Sequence, residues 1–169
     1  MPRLKKDKIV HSPPLFALYK PVGIMRSSLQ RLCLTLDEYE AIRLADYLGM
    51  DHAEAALEME ISRSTFSRLI EKARQKTARF LIEGKELCIE GGKIHFRDNI
   101  IRCFDCGHMF NIDMGKAVSQ CPQCHSENLL NLAGGFGHGR CCAERAAQEK
   151  NEVHSQKINR NKNRSERKE

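Results

Sequence analysis

Residues 61–80, ISRSTFSRLIEKARQKTARF, decide how this chain reads. Phe66, Leu69, Ile70, Ala73, Thr77 and Phe80 recur at the helical period and share one side. Ser64, Ser67, Arg68, Glu71, Lys72, Gln75 and Arg79 lie broadly on the other. Ser62 or Ser64 is placed to cap this helix. The stretch carries a net +5, whereas residues 35–60 carry eight acidic residues against one Arg, a balance of −7. An acidic helical segment followed by a basic helix that opens on small hydroxyl residues is the pattern of a helix-turn-helix reader of duplex DNA.

Outward from that helix the local signals are clear on the N-terminal side. Thr35 is a candidate N-cap with Glu38 three residues on, the spacing of a capping box. Ala41, Ile42, Leu44, Ala45 and Leu48 then follow the helical period, and Gly49 stops it. Residues 51–59 predict a short helix capped by Asp51, whose Ala55 and Ala56 let the next helix cross closely. Residues 60–62 form the turn. Beyond the basic helix, residues 84–99 alternate enough to predict two strands joined as a hairpin at Gly91-Gly92. Residues 15–34 mix short apolar runs with Pro21 and Gly23 and define no element.

The expected fold class is a mainly α N-terminal helix-turn-helix domain, then a small β-hairpin, a zinc-ribbon-like β module and a disordered basic tail. The expected boundaries are a basic arm over 1–14, the DNA-binding domain over 15–82 and the hairpin or linker over 83–100. The metal module follows over 101–133, and a Gly-rich then charged tail over 134–169.

Composition agrees with a protein that meets an anion. The 169 residues have room for one ordinary domain or two small ones, and the net charge is +6. Residues 1–34 contribute +6 and residues 134–169 contribute +4, so two basic arms flank the body. With 41% apolar residues and no Trp the core is thin, which suggests that part of the fold relies on metal. The opening MPRLKKDKIVHSPP has no apolar signal segment, and no stretch approaches the roughly 20 apolar residues of a membrane span. The eight cysteines therefore read as those of a soluble cytoplasmic protein, where paired CxxC motifs mean metal rather than disulfides.

Cys103-Phe-Asp-Cys106 and Cys121-Pro-Gln-Cys124 stand fourteen residues apart. Two such turns supply the four thiolates of a tetrahedral structural zinc site, the expected cofactor; iron in a rubredoxin-like site uses similar pairs, and spacing alone does not exclude it. Four thiolates leave no open position for an activated water, so no catalysis is expected there. His108 and His125 read as surface histidines beside the ligands. Cys33 and Cys88 read as small core residues. His138, Cys141 and Cys142 form a candidate effector or second metal site.

A major-groove helix needs short residues near its N-terminus and Arg or Lys to reach guanines and phosphates. Arg63, Ser64, Thr65, Ser67 and Arg68 meet both needs, with Arg68 the first candidate for a base contact. Lys72, Lys76 and Arg79 suit phosphates, and Arg3, Lys5 and Lys6 suit a minor groove or the backbone. Asp37, Glu38, Glu40, Asp46, Glu54 and Glu58 are expected to point away from phosphates.

MPRLKKDKIV, the run LTLDEYEAIRLADYLGMDHAEAALEMEISRSTFSRLIEKARQKTARFLIEGKELCIEGG and the cysteine module resemble uncharacterised protein family 0251 of predicted prokaryotic DNA-binding proteins. The match spans about residues 1–96, and its centre resembles the helix-turn-helix of sigma-factor region 4. The resemblance implies transcriptional regulation, with a recognition helix that begins near Ser62 or Arg63. A regulator is expected rather than a sigma factor, because the chain has no obvious partner domain for opening a promoter. The competing expectations are an adaptor that binds RNA polymerase or another protein, and an RNA-binding protein. No phosphate loop, nucleophile constellation or carboxylate pair marks an enzyme. A homodimer on DNA, paired through the hairpin or the ribbon, is a further expectation.

Overall fold

The computed structural model describes residues 7–112 and 116–136. In chain order the elements are strands β1 (Lys8–Val10), β2 (Leu18–Tyr19) and β3 (Arg31–Leu34), then helix α1 (Leu36–Ile42), which runs into a π-helical turn over Arg43–Tyr47. Helices α2 (His52–Glu58) and α3 (Arg63–Glu83) follow. The chain then forms β4 (Glu86–Ile89), β5 (Ile94–Phe96), β6 (Asn99–Cys103), β7 (Met109–Ile112), β8 (Leu129–Asn131) and the single turn α4 (Leu132–Gly135). Among these residues no helix is long and apolar enough to cross a membrane.

The helices begin where their local chemistry directs. The Glu38 carboxylate accepts the Thr35 N–H at 2.9 Å. Asp51 accepts from the N–H groups of Ala53 and Glu54, while Glu54 reaches back to the Asp51 N–H at 3.0 Å. Ser62 Oγ accepts the Thr65 N–H at 3.2 Å. The apolar side of α3 is shared between two clusters. Phe66 and Ile70 pack with Ala41, Leu44, Ala55, Ala56 and Met59. Ala73 packs with Val10, Leu34, Leu36, Leu87, Ile89, Phe96 and Ala133.

The expected mainly α domain with an appended hairpin is overturned by the sheets. β3 lies parallel to β4, with Arg31 opposite Glu86 and Leu34 opposite Ile89, and β2 lies antiparallel on the other side of β4. β1 lies parallel to β5, with Lys8 opposite Ile94. Strands therefore precede and follow the helices, and the N-terminal region is a mixed α and β unit. Residues 8–14, expected as part of a free arm, include buried Val10 and Pro14. Residues 15–34, which defined no element, supply two strands of a sheet.

The expected hairpin at Gly91-Gly92 does not form, because β4 and β5 belong to different sheets. The turn is engaged by α1 instead. Gly91 C=O accepts the Leu36 N–H at 3.1 Å. Gly92, at φ +99°, packs so close to Asp37 that a Cβ there would meet Asp37 Oδ1 at 2.8 Å. The chain reverses around the start of α1, and each strand then finds a partner from the N-terminal segment.

Four carboxylates hold this arrangement from inside: Asp37, Glu38, Glu40 and Glu86 are buried. Lys8 and Asp37 form a close ion pair, and Glu40, fully covered, takes Arg43 at 2.7 and 2.8 Å. Glu38 takes Lys76 at 2.6 Å and Lys72 at 3.4 Å. Burial pushes the Asp37 and Glu38 carboxyls up, but hydrogen bonds and charge from Lys8 and Lys76 outweigh it and hold both below their ordinary values. Because the folded values are lowered, the stability they supply is complete above the ordinary carboxylate range of about pH 4 to 4.5. It is lost as pH falls through the lowered folded values. Glu38→Ala, which leaves Lys76 without its carboxylate, should lower the unfolding free energy by about 3 kcal/mol at neutral pH. Urea unfolding at pH 7 and pH 3 checks this, with the difference between parent and variant shrinking at the lower pH.

Candidate functional site

The expected site residues that fall among the described ones lie in two regions, the cysteine module and the surface of α3. In the module, β6 pairs with β7 and β8, and Cys103 ends β6 opposite Leu129. Two turns of the same design bring the thiols in. In the first, Gly107 N–H donates to Cys103 C=O at 3.0 Å and Cys103 N–H donates to His108 C=O at 2.9 Å. In the second, His125 N–H donates to Cys121 C=O at 2.9 Å and Cys121 N–H donates to Ser126 C=O at 2.8 Å. The residue after the second cysteine is left-handed in both, Gly107 at φ 75° and His125 at φ 59°. His125 thus occupies the glycine position of its turn. The His108 ring stacks on Phe110, with centroids 5.6 Å apart. Asp105 joins the turns, accepting from Ser126 Oγ and from Asn128 Nδ2, the latter at 3.0 Å.

The sulfurs of Cys103, Cys106, Cys121 and Cys124 all lie within 4.8 Å of one another. Cys103 Sγ is 3.5 Å from Cys124 Sγ, and Cys106 Sγ is 3.7 Å from Cys121 Sγ. Both distances are far beyond an S–S bond of about 2.05 Å. Four sulfurs at about 2.3 Å from one tetrahedral ion stand about 3.8 Å apart, so the measured separations fit a single metal. Cys103 and Cys121 are buried, while Cys106 and Cys124 face outward. The backbone N–H of Cys106, with that of Asp105, holds the Cys103 thiol down to about 7. The Ser126 N–H pulls on Cys124 in the same sense, but the neighbouring thiols, Cys106 foremost, push it up to about 12. Thiols crowded in this way ionise together only when a cation shares their charge. The four cysteines expected as ligands are therefore assembled, close enough to hold a metal.

On α3 the basic residues divide by position. Arg63, Ser64, Thr65 and Arg68 are exposed at the N-terminal end, with Ser67 half-buried. Among the described residues Arg63 and Arg68 make no ion pair. Ser67 Oγ is 2.9 Å from His52 Nδ1, so α2 holds it from behind. Farther along, the cations turn to internal partners. Lys76 donates to Glu38 and, at 2.8 Å, to Cys33 C=O, with its side chain only 20% exposed. Arg79 pairs with Glu83, and Arg74 with Asp46. Lys72 is intermediate: it reaches Glu38 but keeps 65% of its side chain exposed. Arg3, Lys5, Lys6, His138, Cys141 and Cys142 lie outside the described residues.

Cys33 is not the core residue its sequence context suggested. It opens to solvent on the outer face of β3, opposite buried Cys88. Burial, then the Glu90 carboxylate, push the Cys88 thiol up to about 11. Cys33, Cys88 and Glu90 form a second group of ligand-type atoms within 4.8 Å of one another. Alternation along the two strands could have placed the cysteines on one face, but only their pairing brings them side by side.

Cys103→Ser and Cys121→Ser should each abolish tight metal retention by the module. Elemental analysis after gel filtration through a chelating buffer checks this. Backbone amide signals of residues 99–112 and 121–131 should collapse toward random-coil positions in both variants, while those of α3 persist.

Comparison with known proteins finds relatives that align with most of the chain. The family model described as protein of unknown function DUF134 matches residues 1–97. A UPF0251 protein of Chloroherpeton thalassium is 48% identical over 143 residues, covering 83% of this chain and 95% of its own. A UPF0251 protein of Pelotomaculum thermopropionicum is 41% identical over 126 residues, covering 75% of this chain and 95% of its own. UPF0251 protein CT1277 of Chlorobaculum tepidum is 37% identical over 145 residues, covering 83% and 74% respectively. No solved structure matches the chain significantly. The chain belongs to the UPF0251 family, and its own DUF134 match covers the N-terminal unit built around α3.

Proposed function

We propose that this protein is a sequence-specific, double-stranded DNA-binding transcriptional regulator whose C-terminal module carries structural zinc. One observation carries the reading: the N-terminal end of α3 presents Arg63, Ser64, Thr65 and Arg68 outward. α2 and the turn over residues 59–62 pack behind that end, through Phe66 and Ile70 against Ala55, Ala56 and Met59. A helix entering the major groove leads with its N-terminal residues, so short hydroxyl side chains there let the backbone approach the bases. Guanidinium groups outside any close ion pair have no salt bridge to break before reaching guanine or phosphate.

The ion pairs of α3 revise which cations serve this role. Arg63 and Arg68 are the base-reading candidates, and Lys72 is the phosphate candidate. Lys76 is committed to Glu38 and Cys33 and is assigned a structural role rather than a DNA contact. In this reading Asp37, Glu38 and Glu40 do not repel phosphates, because each is buried with its own counter-charge. The zinc assignment rests on four converging thiolates at tetrahedral spacing.

Selection of sheared genomic DNA on the full-length, metal-loaded protein at near-physiological salt tests the reading. A shared motif is expected among the bound fragments; fragments without one, from folded protein, would sink the proposal. On the selected site, Arg68→Ala should weaken binding by about 1–3 kcal/mol and relax the preference at one base position. Lys72→Ala should weaken all sequences about equally and reduce the salt slope by about one unit. Fluorescence anisotropy across a salt series separates the two effects.

A further inference from the structure

We propose that Cys33, Cys88 and Glu90 form a second metal site, an open three-donor site for a thiophilic divalent cation of the zinc class. The strands place the donors. β3 and β4 run parallel with Cys33 opposite Cys88. Leu32, Leu34, Leu87 and Ile89 belong to the core, so alternation turns Cys33, Cys88 and Glu90 to the other face of the sheet. One ligand atom from each lies within 4.8 Å of the other two, and Cys33 Sγ is 3.7 Å from Glu90 Oε1. A sulfur and a carboxylate oxygen on one tetrahedral zinc stand about 3.6 Å apart. That edge of the site already has its liganded length, and the other two are no longer than 4.8 Å.

Charge points the same way. The ionised forms of all three groups are anions. Arg31, on the same face, is committed to Glu86 at 2.9 Å, and Arg26 meets that same carboxylate at 2.8 Å. Arg31 also acts on Cys88 and Glu90 through its charge, but its guanidinium is hydrogen-bonded to Glu86 and not to the cluster. The site is also accessible. Cys88 is buried, whereas Cys33 and Glu90 open to solvent, which leaves a fourth position for water or an incoming ligand. Such a site exchanges its ion more readily than a closed set of four thiolates.

A disulfide is the competing chemistry, since parallel neighbours about 4.8 Å apart lie within the range a disulfide spans. It would leave Glu90 aside, whereas the Cys33 thiol already donates to the Glu90 carboxylate at 3.7 Å. The position of the site also matters. β3 leads into α1 at Thr35, and β4 follows α3 through Gly84 and Lys85. A cation there ties the entry of α1 to the exit of α3, whether or not the chain reads DNA.

The test uses the full chain with Cys141→Ser and Cys142→Ser, so that those thiols cannot contribute, loaded at the four-thiolate site. It is titrated with Co²⁺ under reducing, anaerobic conditions, and bound equivalents and thiolate-to-cobalt absorption are read together. One further equivalent is expected, lost in Cys33→Ser and in Cys88→Ser. Glu90→Gln, at an exposed position that should not disturb folding, is expected to weaken it by at least about tenfold. The proposal is overturned if no further equivalent binds while the helical signal is intact and both thiols react with a thiol reagent. A further equivalent unaffected by Cys33→Ser and Glu90→Gln overturns it equally, as does recovery of a Cys33–Cys88 disulfide as the resting form in reductant.

Discussion

A single buried carboxylate organises the N-terminal unit. Glu38 is 1% exposed, yet it accepts the Thr35 N–H at the start of α1 and Lys76 from the middle of α3. Lys76 in turn donates to Cys33 C=O on β3. Helix cap, long helix and sheet therefore meet at one ion pair. A charge in that position is tolerated only when its partners stay in place, so the contact sets a demanding geometry for everything it touches.

The consequence reaches the surface. Counting charges along residues 61–80 gives one basic face, but the fold divides it. The distal cations of α3 are largely used to neutralise acids of the body, Lys76 with Glu38 and Arg74 with Asp46. The proximal ones, Arg63 and Arg68, are left outward. Acidic α1 and basic α3 are thus a complementary pair first, and the surface left for a nucleic acid is shorter than the charge run suggests. His52 adds a further constraint, as its ring meets both Ser67 and the edge of Phe66.

The metal module is organised by backbone rather than by core. Its turns repeat the same pair of N–H···O=C bonds around Cys103 and Cys121. β6 buries Ile100, Ile101 and Cys103, but the short flanking strands β7 and β8 are half or more exposed, so converging thiols supply what apolar burial there does not. The module is not isolated from the rest. Ala133 of α4 enters the cluster that contains Val10, Leu34 and Phe96.

What the amino-acid sequence determined by itself is what short-range chemistry controls. The caps at Thr35, Asp51 and Ser62, the apolar stripe of α3 and the two CxxC turns each involve groups a few residues apart, so their spacing encodes them directly. The family relationship was legible for the same reason, in contiguous runs such as DEYEAIRLAD. Only the tertiary structure decided the sheets. Lys8 pairs with Ile94 and Arg31 with Glu86, and a parallel partner so distant leaves no turn signal between the strands. The alternation over residues 84–99 was real, but it records which side chains face the core and not which strand lies alongside. The pairing of Cys33 with Cys88, and the division of the α3 cations between inside and outside, follow from that same long-range register.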